Sequence, residues 1–381
     1  MTSSALTATI DLDAIAHNVS VVRETSGADV LAVVKADAYG HGAPAIAEAA
    51  LAAGAAELGV AVISEALALR AAGIGAPITA WLHTNSTDFA AAVAAGIDIA
   101  LSSRRQLAAV VAAARTTGTR AIVTVKADTG LGRSGVGPDQ WADFAVDLAK
   151  AVADDAVTVR ALMCHLARGD EPGHPLNSRQ AERLDAARAD LVRLGAAPEV
   201  VHIANSPAAL TRPDLARDLV RPGIAVYGGH PIPGRDFGLV PAMTLRGEVS
   251  LVKKIPAGQG VSYSHTWVAG RDTTIGIIPA GYADGVPRLA SGRLRVRIGD
   301  RAFAQVGRIC MDQFVIDLGP DGSGVAEGEV AELFGTGVDG GPRAQDWAAA
   351  IGTIDYEILT GIGARATRVY TRSGRVVAAG R

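Results

Sequence analysis

The 381-residue sequence is poor in cysteine, lysine and aromatic residues. The two cysteines, Cys164 and Cys310, are too few for a disulfide framework. Lysine occurs at only five positions, so a reaction that needs an amine nucleophile has few candidates. A concentrated basic charge is also lacking, because the formal net charge is −3, and this argues against a nucleic-acid-binding protein.

Long apolar runs are missing as well. The longest stretch without Asp, Glu, Lys or Arg, residues 71–87, contains a histidine, an asparagine and a proline. A membrane span needs about 20 predominantly apolar residues. The first residues, MTSSALTATIDLD, show no basic region before an apolar stretch, which predicts a cytoplasmic protein. A mean hydropathy of +0.24 is typical of folded rather than disordered chains.

The first part of the chain alternates short apolar runs with longer Ala- and Leu-rich helical stretches. Eight such runs are strand-like, at residues 30–35, 57–62, 77–82, 97–102, 120–126, 158–165, 200–205 and 218–223. Continuous apolar strands indicate a parallel sheet that is covered on both faces. Eight repeats over this length predict a TIM-type (β/α)₈ barrel in residues 1–235, with a doubly wound open sheet as the competing topology.

The pattern changes after PIPG at residues 231–234, which indicates a linker. Closely spaced short strands with glycine turns then predict a mostly-β C-terminal domain over residues 236–381. One helical insertion is expected at residues 343–363. We also expect residues 1–10 to pack with this second domain.

Polar segments follow several of the predicted barrel strands, where the functional groups of such barrels lie. They are VVKADAYGHG (33–42), KADTGLGRSG (126–135), His165, HIANSP (202–207) and RPGI (221–224). Each of them alone is also compatible with a structural polar residue at the barrel rim. Lys35 is the sharpest candidate, because burial beside Val33 and Val34 would favour its neutral, nucleophilic amine. Gly223, Ile224 and Ser206 could hold a phosphate through backbone N–H groups and a hydroxyl.

VVKADAYGHG closely resembles the pyridoxal-phosphate attachment motif of the alanine racemase family. The resemblance extends in order along the chain, through KADTGLGR, HIANSP, VRPGIAVYG, VSYSHTW (261–267), PAGYADGVPR (279–288), GRICMDQF (307–314) and IDYEIL (354–359). It implies a barrel followed by a β domain, a pyridoxal 5′-phosphate cofactor and a homodimer whose active sites are shared between subunits.

The resemblance also implies a role for each matching residue. Lys35 binds the cofactor covalently and is one catalytic base, and Tyr263 of the partner subunit is the other. The residues implied around the cofactor are Tyr39, Arg133, His165, Asn205, Ser206, Arg221, Gly223, Ile224 and Tyr356. Arg133 and Met311 bind the substrate carboxylate, and Tyr282, Arg308 and Asp170 line the access channel.

Two basic residues bear on the chemistry. By resemblance Arg221 faces the pyridine nitrogen, and an arginine cannot accept the proton that a carboxylate partner would share, which favours a racemase over a decarboxylase. Lys126 matches a lysine that the family often carries in carbamylated form, holding Arg133; the alternative is an ordinary lysine paired with Asp128. No His, Cys and Asp cluster has metal-ligand spacing, so no metal is expected.

The function implied is alanine racemase, which interconverts L- and D-alanine and supplies D-alanine for peptidoglycan. Two alternatives stay open, a broad-specificity amino-acid racemase and a non-catalytic pyridoxal-phosphate carrier. The sequence departs from the family at Val286, where an aromatic residue is frequent, and at His265. Both positions bear on substrate preference rather than on the type of reaction.

Overall fold

The computed structural model describes residues 5–380, which form two large sheets and a two-stranded ribbon. After a first strand, β1 (Leu6–Asp11), the next eight strands pair in parallel and form a barrel. They are β2 (Asp29–Val33), β3 (Glu57–Val60), β4 (Ile78–Ala80), β5 (Asp98–Leu101), β6 (Ala121–Lys126), β7 (Val157–Met163), β8 (Val200–His202) and β9 (Leu219–Val220). A parallel bridge between Asn205 and Arg221 joins the chain beyond β8 to the chain beyond β9. The predicted barrel is therefore confirmed, and the open-sheet alternative is wrong.

Helices cover the outside of the barrel, which is why its strands are nearly continuous apolar runs. These helices are α1 (Leu12–Ser26), α2 (Ala43–Ala52), α3 (Ile63–Ala71), α4 (Phe89–Ala94), α5 (Arg104–Thr117), α6 (Trp141–Ala153), α7 (Pro175–Arg193) and α8 (Ser206–Thr211). The side chain of Asp11 caps α1 and that of Ser103 caps α5, so backbone N–H groups of the first turns are satisfied. Within residues 5–380, no helix is both long and apolar enough to cross a membrane.

The second sheet has ten strands and contains β1. Its other members are β10 (Met243–Glu248), β11 (Leu251–Ile255), β14 (Thr273–Ile278), β15 (Arg295–Ile298), β16 (Arg301–Val306), β17 (Phe314–Gly319), β18 (Val330–Phe334), β19 (Thr367–Arg372) and β20 (Arg375–Gly380). The strands β12 (Gly260–Val261) and β13 (Trp267–Val268) form a separate short ribbon. Two helices, α9 (Ala344–Ile351) and α10 (Asp355–Gly361), lie between β18 and β19. Because β1 pairs with both β10 and β19, the start of the chain is built into the C-terminal sheet.

Seven of the eight barrel strands end before the last residue that the sequence predicts, and two of these ends bear on the site. Apolar residues predict strands through Lys35 and His165, but β2 ends at Val33 and β7 ends at Met163. Beyond Lys35 the backbone turns into the left-handed region, which is incompatible with a strand. The two side chains therefore stand on connecting segments just past the barrel.

A buried arginine from the second sheet fixes one of these segments. The Arg368 guanidinium donates to the carbonyl oxygen of Gly40 from Nε (3.1 Å) and Nη2 (2.9 Å). It also donates to the carbonyl oxygens of Ile362, Gly363 and Ala366. The C-terminal sheet thus holds the end of the segment that begins at Lys35.

Replacing Arg368 by methionine should lower the free energy of unfolding by about 3 kcal/mol, because several buried carbonyl groups lose their donor. Urea denaturation of the full chain measures the change. Arg372→Met, on the same strand but at an exposed position, is the matched control and should change stability by less than about 0.5 kcal/mol. Equal effects of the two substitutions would contradict the role given to Arg368.

Candidate active site

A cavity of about 870 Å³ opens at the carboxyl ends of the barrel strands. Its polar walls come from successive connections, with Lys35 after β2, His165 after β7, Ser206 after β8 and Arg221 after β9. It also brings together Tyr39, Lys126, Arg133, Asn205, Gly223, Ile224 and Tyr356, all proposed from the sequence. Residues from distant parts of the chain meet here because parallel strands end at one rim of a barrel.

The Lys35 amine lies half-buried in this cavity. Burial lowers its pKa below the usual lysine value, and the positive charge of Arg133 lowers the pKa further. The negative charge of Glu65 acts in the opposite direction. A lysine in such surroundings presents more neutral amine, which is the form that attacks a carbonyl group.

One corner of the cavity is a narrow cradle of hydroxyl and backbone N–H groups. The Ser206 hydroxyl accepts hydrogen bonds from the backbone N–H of Gly223 (2.9 Å) and Ala225 (3.3 Å). A Cβ atom at Gly223 would overlap the Tyr39 hydroxyl, so only glycine lets this hydroxyl approach the backbone. Burial raises the pKa of Tyr39, whose ring stacks on Tyr227 with 4.6 Å between centroids. Tyr39 therefore remains a neutral donor, suited to an anion.

The Arg221 side chain is buried, and hydrogen bonds to backbone carbonyls and to His202 fix its guanidinium. Its Nη1 lies 2.8 Å from His202 Nδ1 and donates to the His202 carbonyl, while Nη2 donates to the carbonyl oxygens of Cys164 and Ile203. The pKa of His202 is far below the usual value because of burial and then the Arg221 charge, so the ring is neutral and its Nδ1 can accept a hydrogen bond from the guanidinium. His202 is a structural histidine in this sense: it fixes Arg221.

His165 is also kept neutral. Burial lowers its pKa to about 3, and the charges of Arg221, Arg133, Lys126 and Lys35 act in the same direction. Burial and the surrounding positive charges therefore disfavour protonation of the His165 ring.

The Lys126 amine donates a 2.6 Å hydrogen bond to the Ser134 hydroxyl. Burial, followed by the charges of Arg221, Arg133 and Lys35, lowers its pKa to about 8. The Asp128 carboxylate accepts hydrogen bonds from three backbone N–H groups of the next loop, those of Gly130, Leu131 and Gly132. Asp128 thus organises the loop, and Lys126 takes Ser134 as its partner.

Four other predicted residues lie on the second domain, away from the cavity walls. We call Tyr263, Tyr282, Arg308 and Met311 the C-terminal cluster. They are linked through the backbone, since the Ser262 hydroxyl donates to the Arg308 carbonyl and the Tyr282 N–H donates to the Cys310 carbonyl. The Tyr263 side chain is 69% exposed and that of Met311 is 53% exposed.

Asp170 follows β7 and is exposed. Burial is the main cause of the raised pKa of Tyr356, and the Asp170 charge adds to that shift. Asp170 is not among the residues that line the cavity. The apolar wall residues Trp81, Leu82 and Ile354 were not predicted from the sequence. Trp81 and Leu82 end the run PITAWL, so their position past a barrel strand was the available signal.

Acid should destabilise the protein partly through His165. Its folded-state pKa of about 3 lies below the unfolded value near 6.5, so the unfolded chain binds more protons and stability falls as the pH drops below 6.5. His165→Asn should reduce the loss of unfolding free energy between pH 7 and pH 5 by about 1–2 kcal/mol. Urea titrations at the two pH values measure this, and an unchanged loss would contradict a buried neutral His165.

Comparison with known proteins assigns the chain and its fold to one enzyme family. The family model described as "Alanine racemase, N-terminal domain" matches residues 10–231, and that of "Alanine racemase, C-terminal domain" matches residues 242–370. An alanine racemase of Mycolicibacterium smegmatis is 58% identical over 368 residues, covering 96% of this chain and 95% of the relative. One of Mycobacterium tuberculosis is 55% identical over 365 residues, covering 95% of each chain.

Solved structures give the same result. Alanine racemase from Streptomyces lavendulae superposes with a TM-score of 0.93 at 46% identity, covering 97% of this chain and 98% of that one. Alanine racemase from Bacillus anthracis, solved with bound L-Ala-P, gives a TM-score of 0.90 at 30% identity and covers 100% and 98%. The chain belongs to the alanine racemase family, isomerases that depend on pyridoxal 5′-phosphate.

Proposed function

We propose that this protein is an alanine racemase that interconverts L- and D-alanine with pyridoxal 5′-phosphate. The observation that carries the proposal is the cavity itself, where the Lys35 amine, the Ser206–Gly223–Tyr39 cradle and the buried Arg221 face one space. This donor set fits the cofactor, since it offers an amine of lowered pKa for an aldehyde and neutral donors for a phosphate.

Each part of the cofactor has matching residues. Lys35 would hold it covalently, and the phosphate would lie against Tyr39, Ser206, Gly223, Ile224 and Tyr356. Arg221 would donate to the pyridine nitrogen, with His165 and Asn205 beside the ring. When bound, pyridoxal 5′-phosphate supplies an electron-withdrawing ring that makes the α-proton of an attached amino acid acidic.

Two residues then transfer protons to and from the α-carbon of the substrate, one on each of its opposite faces. The Lys35 amine takes or returns the α-proton on one face. The Tyr263 phenol of the partner subunit does so on the other, so the substrate need not turn over. The exposure of Tyr263 and Met311 on the second domain supports a homodimer, because a neighbouring subunit can cover them and receive them in its own cavity. Arg133 and Met311 bind the substrate carboxylate.

The two domains and the remaining predicted residues have roles in the same dimeric active site. The barrel, within residues 12–235, binds the cofactor, and β1 together with residues 236–380 forms the β domain that supplies groups to the partner. Tyr282 and Arg308 of the C-terminal cluster, with Asp170, line the access channel. A cytoplasmic racemase of this kind supplies D-alanine for peptidoglycan. A non-catalytic carrier is disfavoured, because a carrier would not need the C-terminal sheet with its exposed tyrosines.

Purified protein supplied with pyridoxal 5′-phosphate should racemise L-alanine and D-alanine. Turnover of serine, lysine and arginine should be at least about 100-fold lower, because larger side chains meet the apolar wall of Trp81 and Ile354. Chiral chromatography of the products measures all four substrates. Comparable turnover of lysine or arginine would favour the broad-specificity racemase, and cofactor uptake without turnover would favour the carrier.

Lys126 should be carbamylated. Carbon dioxide adds to the nitrogen of a neutral amine, which releases one proton to solvent and becomes a carbamate anion. A pKa of about 8 leaves roughly a tenth of the amine neutral at pH 7. The resulting anion would pair with the Arg133 guanidinium. Incubation with ¹³C-bicarbonate, chemical trapping and peptide mass spectrometry should find label on Lys126, increasing from pH 7 to pH 9, and none on the exposed Lys150. Label absent from Lys126, or equal on Lys150, would contradict the assignment.

A further inference from the structure

Directly after Lys35 the backbone takes an unusual course. Ala36, Asp37, Ala38 and Tyr39 all have φ between 51° and 55°, and Gly40 follows at 78°. We call residues 36–40 the left-handed turn. Each non-glycine residue in this region costs about 1–2 kcal/mol, so the surrounding contacts must stabilise the turn. Arg368 binds its last carbonyl, as described above.

The first residue of the turn is bound by a different group, Glu65. Its Oε1 accepts a hydrogen bond from the Ala36 N–H at 2.6 Å. Its Oε2 accepts from the N–H groups of Ala61 (2.8 Å) and Val62 (3.1 Å), at the start of α3. One carboxylate therefore joins the connection after β3 to the turn after β2, at the residue adjacent to Lys35.

Glu65 also differs in charge from the other groups around the amine. Two charged side chains shift the pKa of Lys35, and they have opposite sign: the Arg133 guanidinium and the Glu65 carboxylate. The Glu65 charge is the one that raises the pKa of Lys35. It thus opposes Arg133 and limits how far the amine is neutralised.

We propose that Glu65 is a positioning residue for Lys35: its carboxylate anchors the start of the left-handed turn, directing the amine into the cavity, and its charge offsets that of Arg133. This proposal deepens the proposed function and rests on it. The proposal gives Glu65 two separate effects on Lys35, a geometric one through the Ala36 N–H and an electrostatic one through space. A residue that only capped α3 would make neither.

The charge contribution is tested by competitive acylation of the full-length, cofactor-free protein with trace acetic anhydride at several pH values. Peptide mass spectrometry resolves Lys35 from the exposed Lys150, Lys253 and Lys254, which serve as internal references. In Glu65→Gln the labelling midpoint of Lys35 should move about 0.5–1 pH unit lower, because the opposing charge of Arg133 remains. Lys150 should be unchanged.

The geometric contribution is tested by titrating pyridoxal 5′-phosphate and following the absorbance of the bound cofactor. A glutamine cannot accept at both ends, so one anchor is lost and Glu65→Gln should bind about 10-fold more weakly. Adding Ala36→Gly, which removes the cost of positive φ at the first turn residue, should restore most of the affinity. It should leave the labelling midpoint of Lys35 at its shifted value.

Asp346→Asn is the matched control. Asp346 caps α9 through the Arg343 N–H at 2.7 Å, the same kind of contact, but lies outside the cavity walls. This variant should keep the wild-type labelling profile and affinity.

The proposal is overturned if Glu65→Gln behaves like the control in both measurements, or if Ala36→Gly restores nothing. If circular dichroism shows that Glu65→Gln alone folds poorly, both measurements are made on the double variant with Ala36→Gly instead. If the wild-type protein takes up no cofactor, the proposed function fails, while the acylation profile still decides the effect of Glu65 on the amine.

Discussion

The burial of a lysine amine among positive charges is the constraint on which the rest of this site depends. Lys35 shares the cavity with Arg133, Lys126 and Arg221, and burial together with the Arg133 charge favours its neutral form. Such a cluster is unfavourable unless each cation is held by other groups. For three of these residues the structure provides such groups: backbone carbonyls and His202 for Arg221, Ser134 for Lys126 and the charge of Glu65 for Lys35.

Both domains take part in holding the amine in place. The barrel supplies Lys35 and the cavity walls, whereas Arg368 of the C-terminal sheet binds the end of the left-handed turn. The first strand of the chain is itself part of that sheet. In this protein the second domain therefore holds the end of the segment that follows Lys35, in addition to supplying the groups that we propose it lends to a partner.

The sequence predicts the eight barrel strands because strands buried on both faces are continuously apolar. It predicts the later short strands because strands buried on one face alternate apolar and polar residues. It also locates the cavity residues, since Lys35, Ser206 and Arg221 follow strands whose ends must meet. The left-handed turn could not be predicted, because Ala36, Asp37 and Ala38 have no intrinsic preference for positive φ. Long-range contacts from Glu65 and Arg368 impose it. The contact of Arg221 with His202 likewise depends on side-chain geometry that a pattern does not contain.

The central claim is that each active site combines Lys35 of one subunit with Tyr263 of the other. Co-expression of Lys35→Ala and Tyr263→Phe chains under two different affinity tags isolates the mixed dimer, which has one site with both changes and one with neither. We expect each variant alone to be nearly inactive and the mixed dimer to show about half of the wild-type turnover. A mixed dimer no more active than its two parents would contradict a site shared between subunits.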